Sequence, residues 1–149
     1  YHTAEFAPMN LHLSVAEPYV TTSHKAVSLG LHFQTPPHDH ETLVTCLSGM
    51  VLDVIGDIRC NSPPSGKYAE FYLNSEEEAQ VFIPRGCAHG FYSMSDNSTL
   101  LYNVSTVYNP ICDQGILWNS VGVDWPDLFP ITSSRDREFP TFQSFQSPF

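Results

Sequence analysis

The chain has 149 residues, enough for one domain with a substantial core. Six lysines and arginines stand against sixteen acidic residues, a formal net charge of −10. That balance argues against nonspecific nucleic-acid binding, which needs basic surface to displace phosphate counterions. No apolar run reaches membrane-spanning length, and the opening residues Tyr1-His2-Thr3-Ala4-Glu5 lack the basic and apolar regions of a signal peptide.

Taken in chain order, the predicted pattern is all-β. Residues 1–28 are expected to hold N-terminal strands, with helical turns allowed only over 11–16 and after Trp125. Residues 29–120 read as a β core. Residues 44–47, a Ser48-Gly49 turn and residues 50–59 form a strand, tight turn and strand, rich in β-branched side chains. Residues 61–66 are a Pro- and Ser-rich loop, 68–73 a strand, and 74–78 an acidic turn. Residues 79–83 form a strand stopped by Pro84 and Gly86, and further strands are expected over 90–94 and 99–107. Short strands separated by turn signals suggest a sandwich or barrel. Residues 121–149 form a helical or irregular tail. There Phe139, Phe142, Phe145 and Phe149 recur at near-threefold spacing, the pattern of a tail held on the body by its rings.

None of the four cysteines forms a CxxC pair, so reduced thiols in a cytoplasmic protein are expected. Asn97-Ser98-Thr99 matches a glycosylation acceptor by chance. Two histidines stand out. His32 lies in Leu29-Gly30-Leu31-His32-Phe33-Gln34, and His89 in Ile83-Pro84-Arg85-Gly86-Cys87-Ala88-His89-Gly90-Phe91. Each is set among strand-forming neighbours beside Gly and Pro punctuation. A pocket built between strands from two imidazoles can move protons or hold a metal.

These segments, together with Gly49-Met50-Val51-Leu52-Asp53-Val54, Tyr108-Asn109-Pro110, Gly115-Ile116-Leu117-Trp118-Asn119 and Ser134-Arg135-Asp136, occur in an order that resembles the dTDP-4-dehydrorhamnose 3,5-epimerase family. The resemblance implies a cupin double-stranded β-helix, or jelly roll, and a homodimer with exchanged N-terminal strands. It implies a cofactor-free epimerase of a nucleotide-linked 4-keto-6-deoxy sugar, inverting carbon 3, carbon 5 or both, in deoxysugar or polysaccharide biosynthesis. By the same resemblance, His32 is the base, Asp136 orients it and Tyr108 is the acid. Tyr102, His89, Asp53, Arg135 and Gln34 fall at sugar- or phosphate-binding positions.

The chain departs from the family pattern at two cations. Leu29 stands where the family usually has arginine, and Thr42 where it usually has lysine. Lys25 and His40 lie near in sequence and are candidates to compensate, His40 by donating a hydrogen bond to the ketone oxygen. Two other readings stay open here. One is a sugar-binding cupin without catalysis. The other is a metal-dependent cupin using His38, His40 and His89, although no glutamate follows His40 at the expected distance.

Overall fold

The computed structural model describes residues 3–60, 62–63 and 66–149. Tyr1 and His2 of the opening segment, and Asn61, Pro64 and Ser65 of the proline-rich loop, lie outside the described residues. A short helix α1 (Thr3–Phe6) runs into a 3-10 turn over Ala7–Met9. Nine strands follow. They are β1 (Glu17–Ser23), β2 (Ser28–Gln34), β3 (Thr42–Ser48), β4 (Met50–Asp57), β5 (Tyr68–Asn74), β6 (Gln80–Ile83), β7 (Cys87–Ser93), β8 (Ser98–Val104) and β9 (Asp113–Gly115). Helix α2 (Ser134–Arg137) lies in the tail.

The strands form two antiparallel sheets, ordered β1-β8-β3-β6 and β5-β4-β7-β2-β9. Period-2 alternation sorts the side chains into two clusters. Val44, Cys46, Val51, Leu73, Val81, Ile83, Phe91, Leu100 and Tyr102 pack together from both sheets. Leu31, Phe33, Leu52, Val54, Ile58, Ala88, Tyr92 and Ile116 form a second cluster, and Trp125, Phe142, Phe145 and Phe149 of the tail pack on it. The phenylalanine spacing therefore does hold the tail on the body. Phe33 meets Phe145 and Phe149 edge to face, with centroids 5.3 and 6.0 Å apart. Because both faces of the second sheet are covered, β4 buries Val51, Leu52, Asp53 and Val54 in succession.

Several expectations change in detail. Residues 11–16 form no helical turn, and Leu13 is buried there. The strand expected over 99–107 ends at Val104, and the one expected from Gly90 begins at Cys87. β1 lies against β8 of its own chain, pairing Glu17 with Val104 through Ser23 with Ser98.

One irregularity positions the site. The β2–β7 register shifts between Leu29 and His32. Leu29 contacts the first cluster while Leu31 and Phe33 belong to the second. The shift therefore resets the alternation, so that His32 and Gln34 turn to the side Leu29 faces. A bulge re-aims side chains in this way. Gly30 sits at the shift with φ +102°, and a Cβ there would lie 2.6 Å from the His89 carbonyl oxygen. Glycine is needed on both counts.

Candidate active site

A cavity of about 390 Å³ opens between the sheets. β1 contributes Glu17, Tyr19 and Thr21, β2 contributes Leu29, His32 and Gln34, and β8 contributes Tyr102 and Val104. His89, His40, Thr42, Thr106, Tyr108 and Asp113 complete most of the wall. These strand residues follow one another at intervals of two along β1 and β8, which is why they share one face.

His32 and Asp136 come together from opposite ends of the core. His32 Nε2 lies 2.8 Å from Asp136 Oδ1, and the Gly30 N–H donates to Asp136 Oδ2 at 3.1 Å. The Ser133 hydroxyl caps α2 by accepting the Asp136 N–H at 3.0 Å. Asp136 is 1% exposed. Burial opposes its charge, but the His32 bond, the charge His32 can carry and the Gly30 and Ser133 bonds outweigh it and hold the carboxyl below its ordinary value. The carboxylate accepts the Nε2–H, so in the neutral ring the lone pair lies on Nδ1 of His32. That is the form a general base requires.

A second pair stands beside it. His89 is the direct cross-strand partner of His32. Its Nε2 lies 2.7 Å from Oδ2 of Asp53, a fully buried residue of β4. Asp53 does not line the cavity; it holds His89 from behind.

The two tyrosines differ sharply. Tyr102 is buried, stacks on Tyr19 with centroids 4.7 Å apart, and meets the His89 ring edge-on at 5.8 Å. Its hydroxyl has no hydrogen-bond partner among the described residues. Burial, then the neighbouring Tyr19 and Asp53, push its phenol well above the ordinary value, against the smaller opposing effect of the Thr21 hydroxyl beside it. Tyr108 is 57% exposed, and its hydroxyl donates to Asp113 Oδ2 at 3.1 Å.

Arg135 sits outside the wall. It pairs with Asp113 at 2.8 Å and lies over the Phe139 ring, 5.2 Å from its centroid. Phe139 in turn meets the His32 ring edge-on at 5.4 Å. Lys25 is exposed in the turn after β1, with its backbone N–H on Asp96, and takes no part in the cavity. It therefore cannot compensate for Leu29 and Thr42 in this arrangement. His38 enters only through its carbonyl oxygen, which accepts from Gln34 and Thr106. Among the described residues no three His, Cys, Asp or Glu side chains gather as a metal site, so His38, His40 and His89 are not assembled as ligands.

Glu17, Tyr19, Thr21, Thr106 and Asp113 were not among the expected site residues. Tyr19 and Thr21 had a usable signal: they alternate on a strand. Glu17 and Asp113 had none, because their place depends on contacts across the fold. Glu17 accepts the Tyr108 N–H at 2.8 Å across 91 residues.

The model of the dTDP-4-dehydrorhamnose 3,5-epimerase family matches residues 1–144. The chain belongs to the dTDP-4-dehydrorhamnose 3,5-epimerase family. It is 40% identical over 116 residues to the dTDP-4-dehydrorhamnose 3,5-epimerase of Shigella flexneri, which covers 76% of this chain and 64% of that one. The chain thus spans just under two thirds of that relative's length. The crystal structure of the Bacillus anthracis dTDP-4-dehydrorhamnose 3,5-epimerase superposes with a TM-score of 0.92 at 30% identity, covering 95% of this chain and 82% of that one. A 3'-monoepimerase from Streptomyces bikiniensis, solved as a double mutant in complex with dTDP, gives 0.87 at 26% identity, with 94% and 72% covered. The two antiparallel sheets are those of a cupin-type jelly roll, as the resemblance implied.

Proposed function

We propose that this family member epimerises a nucleotide-linked 4-keto-6-deoxy sugar, in deoxysugar or polysaccharide biosynthesis, by moving protons at a carbon beside the ketone. One observation carries the reading: an oriented imidazole with a free lone pair faces a cavity that also holds a buried, unpartnered phenol. His32 stands on one sheet and Tyr102 on the other, and both line the same cavity. His32 Nδ1 takes the proton as the C–H bond breaks. The electron pair moves into the enolate, and its charge settles on the ketone oxygen. A proton delivered to the other face completes inversion; solvent then takes the extra proton from the base and returns one to the acid.

Tyr102 is favoured over Tyr108 as the acid. The Tyr102 proton is held by no carboxylate, only the Thr21 hydroxyl stands beside it, and its raised phenol value keeps it protonated until the enolate forms. The Tyr108 proton is already committed to Asp113. The double mutant of the Streptomyces bikiniensis relative adds support. It replaces a histidine and a tyrosine whose spacing equals that between His32 and Tyr102.

The test is solvent-deuterium exchange at the carbons flanking the ketone of dTDP-4-keto-6-deoxyglucose. The parent protein is expected to incorporate deuterium. Binding without exchange would favour the sugar-binding reading, which the lack of any lysine or arginine among the described residues of the cavity wall otherwise supports. Tyr102→Phe is expected to keep exchange but slow net inversion on the order of 100-fold, within the range for one general acid. Tyr108→Phe is expected to stay within a few-fold of the parent. The reverse ranking would return the acid role to Tyr108.

We propose further that the chain forms a homodimer through β1, whose outer edge is unpaired among the described residues and carries the exposed Val20. A solution mass of one chain would refute this. Four free thiols and a nucleotide-sugar substrate fit a cytoplasmic setting. No helix of the described residues is long and apolar enough to cross a membrane.

A further inference from the structure

The enolate needs a partner for its developing negative charge, and among the described residues the cavity wall holds no lysine or arginine. Leu29 and Thr42 line it, as do the carboxylate-bearing Glu17 and Asp113. We infer that His40 is the donor to the ketone oxygen, a neutral imidazole whose proton is fixed on Nε2 by Gln34. This deepens the epimerase reading above and rests on it.

The argument runs along one chain of hydrogen bonds. The backbone N–H of Asn109 donates to Gln34 Oε1 at 2.6 Å. That bond fixes which way the Gln34 amide points, so Nε2 is the donor end. Gln34 Nε2 donates to the His38 carbonyl at 2.9 Å and reaches His40 Nδ1 at 3.1 Å. An amide N–H aimed at Nδ1 requires a lone pair there. The Thr106 hydroxyl lies 3.4 Å from the same nitrogen and gives its proton to the His38 carbonyl at 2.9 Å, while the other acceptors of Gln34 Nε2, Thr106 Oγ1 and the Val107 carbonyl, stand farther off at 3.5 Å; the 3.1 Å contact favours the amide as donor to Nδ1. The ring proton therefore lies on Nε2. Nε2 makes no hydrogen bond to the described residues, yet it is not among the buried polar atoms lacking a partner, so solvent in the cavity reaches it.

The imidazole also stays uncharged. A proton added at Nδ1 would face the Gln34 N–H head on. Burial and then the nearby Arg85 lower the His40 value, against the smaller opposing effects of Asp39, Asp113 and Glu17. A neutral imidazole that polarises a carbonyl is a working electrophile, and its N–H needs no reorganisation when charge appears. His40 donates this hydrogen bond without transferring its proton.

Asparagine and glutamine at position 40 separate the two ring nitrogens. An asparagine amide reaches about as far as Nδ1, and a glutamine amide about as far as Nε2. His40→Asn is expected to lower kcat for deuterium exchange about 100-fold, the lower end for losing one such donor, with KM within about threefold. His40→Gln is expected to recover to within about tenfold of the parent. In the unmutated protein, nitrogen-edited NMR of His40 is expected to show a protonated Nε2 and an unprotonated Nδ1. An unchanged kcat in His40→Asn, or a proton found on Nδ1, overturns the inference. If the parent exchanges and His32→Ala does not, that failure belongs to His40 alone. A parent that exchanges nothing overturns the epimerase reading and this inference together.

Discussion

His32→Ala is expected to abolish solvent-deuterium exchange, a loss of about 10⁴-fold at the upper end of what one general base contributes. The size follows from how completely the structure commits that residue. Its Nε2 proton is held by an ionised, 1% exposed carboxylate, which leaves Nδ1 as the lone pair offered to the cavity. His89 is the neighbouring imidazole, but its Nε2 is turned back toward Asp53 and its ring packs on Tyr102. The far-ultraviolet circular dichroism is expected to stay near that of the parent while the melting temperature falls, since the buried Asp136 carboxylate loses one partner but keeps the Gly30 N–H. Retained exchange in a folded His32→Ala protein would assign the base elsewhere, with His89 the first residue to examine.

Phe91→Ala is expected to be the most damaging single truncation of the core, costing about 3–5 kcal/mol in chemical denaturation. Phe91 is 1% exposed and packs between the sheets with Val51, Leu100 and Tyr102. β7 lies between β4 and β2, so Phe91 has no free edge toward which neighbours can collapse. The hole would also open two residues from His89 and beside the Tyr102 ring, so exchange should fall along with stability. A cost below about 1 kcal/mol would mean that the interior repacks far more readily than its close packing implies.

Much of the fold was legible because Gly-Pro punctuation and β-branched residues agree over residues 44–59 and 79–93. Residues 11–16 misled because an apolar pair spaced like a helical turn also suits an extended segment that buries Leu13. Strand ends were less readable, since Val104 is the last residue for which β3 and β1 both supply a partner, and propensity does not show where partners run out. For the site, His32 and Asp136 were readable through motif resemblance, and their pairing across 104 residues is met in the structure. Proximity in sequence failed for Lys25, because the chain turns after β1 and carries it away from the cavity. The choice between Tyr102 and Tyr108 was not legible either. It depends on where Asp113 lies, and a carboxylate five residues from Tyr108 carries no mark of that role.

Asp136 reaches His32 from a short helix that follows both sheets in sequence. A ribosome therefore releases every strand of the jelly roll before it releases the residue that orients His32. While a nascent chain lacks that segment, the imidazole has neither its fixed proton nor the Phe139 ring against its edge. On the proposed mechanism, proton abstraction thus waits on a segment that follows both sheets in the chain.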